Sequence, residues 1–133
     1  MTRMFSYALG ALATFSVMLG SQALAGGSDF SFVPVTTRIS MAIAAQNPIE
    51  IRCVDKTGKP VDGVTITRVR LDMAPDGMAQ HTASARLIPA DGPGLYRLDA
   101  QYTMTGRWQL SLAAKVDGEI ETVTGKIVFD VAP

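Results

Sequence analysis

The chain has 133 residues, twelve basic and twelve acidic side chains, and no formal net charge. No basic cluster stands along it, which excludes a nucleic-acid surface. With one histidine, one cysteine and no nucleophile elbow, phosphate loop or dinucleotide glycine pattern, the chain excludes a two-histidine metal site, an internal disulfide and the common enzyme motifs.

Residues 1–25 read as a secretory leader. Arg3 is the lone early charge, Met4 to Leu19 is almost wholly apolar or small, and Ala23-Leu24-Ala25 offers a cleavage site. The apolar run is shorter than the roughly 20 residues a spanning helix needs. Cleavage after Ala25 leaves residues 26–133 as one exported, periplasmic domain with no membrane insertion. The alternative is a leader kept as an N-terminal anchor.

Gly26-Gly27-Ser28-Asp29 is a flexible start. Phe30 to Val35 carries Pro34 and suits an edge strand or a tethered arm. Arg38 to Ala44 alternates through Ile39, Met41 and Ile43 and predicts a strand. Ile49 to Val54 predicts another, with Cys53 on its apolar face as a small buried hydrophobe. The other readings of Cys53 are an intermolecular disulfide or a metal thiolate. Asp55 to Pro60 is a turn. Val64 to Met73 changes phase midway, which predicts a bulge near Thr67-Arg68.

Ala74-Pro75-Asp76-Gly77 then makes a tight turn, and His81 to Ile88 returns as a hairpin. Pro89 to Gly94 is turn chemistry. Leu95 to Met104 alternates, with Tyr96, Leu98, Ala100, Tyr102 and Met104 on one face. Trp108, Leu110, Leu112, Ala114 and Val116 form the inward row of the next strand. Asp117-Gly118 marks a hairpin, and Thr122 to Val131 closes the chain with Val123, Ile127 and Phe129 inward. The spacing predicts an all-β antiparallel sandwich of about seven strands.

The chemistry concentrates in the Met73–His81 hairpin tip. Thioethers with an imidazole make a soft donor set, suited to Cu(I) or Ag(I) rather than hard cations. Met78 lies in a polar loop with no packing reason to be there, and His81 follows it. Met104, at the end of its strand, reaches the same pole if the strand ends cluster. Met73 reads equally as a ligand or as core. Met41 reads as core. Trp108 is a core anchor, or a shield and cation–π partner beside thioether ligands. Asp72 and Asp76 sit where carboxylates bond turn backbone, rather than as an acid–base pair.

Three pieces stand in order: Asp55-x-x-Gly58-Lys59-Pro60-Val61-x-Gly63-Val64, then Asp72 to Met78, then Gly94-Leu95-Tyr96-Arg97 with Tyr102 to Trp108. Together, over residues 49–131, they resemble the YtkA-like/FixH-type family of exported domains. The family shows a G-x-P-V turn, a Met-Pro-x-Met loop, a G-x-Y strand start and a Met-x-Gly-x-Trp corner. Here Ala74 stands between Met73 and Pro75, and His81 is three positions past Met78. The resemblance implies an immunoglobulin-like β-sandwich and an association with heavy-metal efflux, copper export above all. It carries the metal loop onto Met73 and Met78 and the corner onto Met104, Gly106 and Trp108.

Two functions follow as expectations. One is a periplasmic Cu(I) or Ag(I) module, accessory to an efflux pump, with Met73, Met78, His81 and Met104 as ligands. The other is a metal-free sandwich docking on a membrane transporter or another envelope protein. Neither is an enzyme.

Overall fold

The computed structural model describes residues 29–133, so the leader expected over residues 1–25 lies outside the described residues. Eight strands follow one another: β1 (Phe30–Pro34), β2 (Arg38–Ser40), β3 (Ile49–Asp55), β4 (Val64–Met73), β5 (Met78–Ile88), β6 (Leu95–Gln101), β7 (Gly106–Val116) and β8 (Val123–Ala132). Hydrogen bonding joins them in the order β1-β3-β6-β5-β4-β7-β8-β2. β5 turns the sheet over on itself. Near its start it pairs with β4, and from Ser84 to Ile88 it pairs with β6. The two halves therefore face each other as a sandwich with an apolar interior, the all-β architecture the alternation predicts.

Period-two patterning accounts for the core. Trp108, Leu110, Leu112, Ala114 and Val116 are all buried, and so are Val123, Ile127, Phe129 and Val131 of β8. Gly125 occupies the remaining place in the β8 row. A Cβ there would stand 2.9 Å from Cδ2 of Phe32, so the gap in one layer admits the β1 phenyl ring. On β3, Ile49, Ile51 and Cys53 are fully buried. Cys53 is a free thiol, and burial pushes its pKa up, which favours the protonated form.

The predicted bulge is present: the β4–β7 register shifts between Ile66 and Arg68. Thr67 donates its hydroxyl to the Ala113 carbonyl at 3.1 Å across that irregularity. β1 is an edge strand, antiparallel to β3 through Pro34.

Two expectations change. The strand expected over Arg38 to Ala44 stops at Ser40, and Met41–Gln46 is a 3-10 segment kinked at Ile43. β2 runs parallel to β8, and Ser40 pairs with Ala132. β8 itself ends at Ala132, and the next residue, Pro133, has no N–H to give a ladder and accepts the Ser40 hydroxyl on its carbonyl at 3.0 Å. With the partner strand ended, alternation at Met41 and Ile43 has no ladder to join. Likewise, the strand expected through Met104 ends at Gln101, which releases Tyr102 to Thr105 as a connecting loop.

Candidate metal site at one pole of the sandwich

The β4–β5 hairpin brings Met73 and Met78 into register as cross-strand partners. Between them Ala74–Asp76 forms one 3-10 turn, closed by Gly77 at φ +76° with its N–H on the Ala74 carbonyl at 2.9 Å. Asp72 sets the turn's entry. One carboxylate oxygen accepts the Ala74 N–H at 3.0 Å and the other accepts Arg70 Nε at 2.7 Å. This is the backbone-bonding role expected of Asp72.

Asp76 does something different. Its carboxylate accepts the main-chain N–H of Arg107 and, through its other oxygen, Arg107 Nε, both at 2.8 Å. A terminal guanidinium nitrogen also donates to the Pro75 carbonyl at 2.7 Å. The tip is thus clamped onto the start of β7 as well as braced on its own backbone. The Arg107 N–H, then its guanidinium, hold the Asp76 carboxyl below the usual carboxylate range. Nothing local in the sequence marks this pair, whose members lie 31 positions apart.

Gly106 joins the clamp to the methionines. Its φ is +139°, and a Cβ there would lie 2.6 Å from Cε of Met73 and 2.7 Å from Oδ2 of Asp76. The Met73 thioether therefore ends directly beneath the β7 backbone, and its residue is 1% exposed.

Trp108, fully buried, is the centre of the pole. Its indole N–H donates to the Met104 carbonyl at 3.1 Å and so holds the loop that carries Met104. The His81 ring lies 5.7 Å from the indole, tilted by 54°. Tyr102 meets the indole edge-on at 5.6 Å. Nε2 of His81 and the Thr103 hydroxyl are 2.8 Å apart. The Tyr102 hydroxyl is buried without a partner, and burial, then the Asp99 charge, raises its pKa.

The four expected ligands differ in exposure, and of them His81, by its ring, and Met104, by its main-chain carbonyl, meet Trp108. Met73 is buried, Met78 and His81 are half-buried, and Met104 is exposed on the loop. Met41 and Met78 both pack partly against the core, so Met78, expected to have no packing reason, has one. Sequence reasoning missed Thr103 on His81 and the Asp76–Arg107 clamp. Among the described residues no group of three or more His, Cys, Asp and Glu side chains gathers to hold an ion. The donors at this pole are thioethers and one imidazole, a composition that fits a soft monovalent ion.

The YtkA-like family model matches residues 27–113. The chain belongs to the YtkA-like family. The match takes in both the methionine hairpin and the Met104–Trp108 corner of this YtkA-like domain. It begins before β1 and ends within β7, where the sequence resemblance spans 49–131. Among solved structures, a ZirS C-terminal domain is similar at 12% identity with a TM-score of 0.47, over all of this chain and 88% of that one. No curated protein matches the chain in sequence.

Proposed function

We propose that this YtkA-like domain is an exported, periplasmic module that binds Cu(I) or Ag(I) as an accessory of a heavy-metal efflux system. What supports it is the pairing of Met73 with Met78 at the hairpin tip, the His81 ring 5.7 Å from Trp108, and the bond from the indole N–H to the Met104 carbonyl. Met78 and His81 are the half-exposed donors, fixed by the hairpin and by the tryptophan. Met104 is the outermost, on a loop whose backbone the indole holds. Met73 is the innermost and lies under Gly106. A neutral thioether needs no deprotonation to bind, and its polarizable sulfur stabilises a large d¹⁰ monovalent ion while offering little to Mg(II) or Zn(II). Graded exposure suits a carrier that must release its ion to a partner. The leader-like residues 1–25 support export.

Competition with a Cu(I) chelator tests this. Met78→Leu keeps volume and removes the donor, so it is expected to weaken Cu(I) binding while the apo thermal midpoint stays nearly unmoved. Met41→Leu is expected to leave binding unchanged. Equal competition by wild type and Met78→Leu would remove the metal site.

A further inference from the structure

The outer face of β4, β7 and β8 carries a groove of about 600 Å³ that is remote in chemistry from the methionine pole. Arg68 and Arg70 of β4 and Lys126 of β8 line it, over the small side chains of Ser111, Ala113 and Thr124. Register places them in rungs: Arg68 is level with Ala113 and Thr124, and Arg70 with Ser111 and Lys126. Arg70 is bound to Asp72 and to the Ala79 carbonyl. Among the described residues, neither Arg68 nor Lys126 pairs with an anion. The chain as a whole has no net charge and Asp72 offsets Arg70, so the local excess over this shallow floor is Arg68 and Lys126.

We propose that this groove docks an acidic segment of a partner protein, an extended peptide with carboxylates at alternate positions. Charge complementarity at Arg68 and Lys126 argues for it, and spacing supports it. Arg70 engages Asp72 through Nε and Ala79 through Nη2, which leaves Nη1 as its remaining donor. It stands two residues from Arg68 on one strand, about 7 Å, which is also the repeat of every second side chain in an extended peptide. Lys126 stands two strands from Arg70, about 10 Å across, so it meets the same peptide from its far side. The floor at Ala113 and Ser111 projects little, which lets a second backbone lie close. The volume falls within the range of built ligand sites, about 300–1,000 Å³. The inference stands independently of the metal site.

The test uses fluorescence anisotropy of the purified protein with a labelled peptide that alternates glutamate and valine. A lysine–valine peptide and vesicles of phosphatidylglycerol are the controls. The acidic peptide is expected to bind saturably and to weaken with added salt. Arg68→Glu combined with Lys126→Glu is expected to lose about tenfold in affinity, since both groups are exposed and reversal turns two attractions into repulsions. Ala113→Trp, which raises the floor, should also block the peptide. The thermal midpoint and Cu(I) competition of the charge-reversed variant should match wild type. Absent peptide binding, equal binding of the lysine peptide, indifference to the double reversal, or a charge-reversal effect confined to vesicles would each overturn the proposal.

Discussion

Gly106 shows how one residue ties a pole together. Its φ of +139° is open to glycine and strained for other residues, and the space a Cβ would take is already filled by Met73 and Asp76. Gly106→Ala is therefore expected to destabilise the fold by about 1–3 kcal/mol, read as a fall in thermal midpoint. Trp108 is the second such residue. It fills the core beneath Tyr102 and His81 and holds the Met104 carbonyl. Trp108→Ala is expected to cost about 3–5 kcal/mol in denaturant unfolding. An unchanged midpoint would place its energetic role at the site rather than in the core.

The β4–β5 hairpin is an element whose tip is held from outside. Both oxygens of Asp76 are occupied by Arg107, a tie from β7 added to the bonds within the turn itself. Because the folded carboxyl has a pKa below its unfolded value, the contact stabilises the fold at neutral pH. That contribution is lost as pH falls through the ordinary carboxylate range towards the lowered value. Asp55 acts in the same direction, chiefly through the Thr57 hydroxyl, at the turn after β3. Asp76→Asn is expected to flatten the acid limb of a melting curve series between about pH 5 and pH 2, relative to wild type. An identical acid limb in the variant would show that the clamp adds no pH-dependent stability.

At the scale of the whole molecule, the curled sheet is closed by contact between its ends. Phe32 of β1 enters the β8 row at Gly125, where any side chain would collide with the ring. Gly125→Val is expected to destabilise the protein by about 1–3 kcal/mol through overpacking. Hydrogen exchange should rise first in β1, the edge strand that loses its anchor. A variant with unchanged β1 protection would mean that Phe32 relaxes without loss of closure. Far-UV circular dichroism of the protein is expected to show β structure with little helix, because the strands account for most of the described chain and the two 3-10 segments are short.

The sequence by itself determined the strands with long alternating rows, the turns between them and the bulge in β4. Each depends on neighbours a few positions away: a period of two along the chain, a proline or glycine at a fixed offset, a change of phase at Thr67. It also determined which donors exist, since one histidine and a few methionines admit few metal sites. Tertiary structure alone decided where β2 stops, because that depends on the end of β8, a strand more than eighty positions away. It decided that Asp76 serves Arg107 and that Gly125 receives Phe32, contacts set by register between distant strands. It decided too that Met73 is buried while Met104 is exposed, although both end apolar rows. The backbone of β7 passes over Met73, and only the folding of the sheet onto itself puts it there.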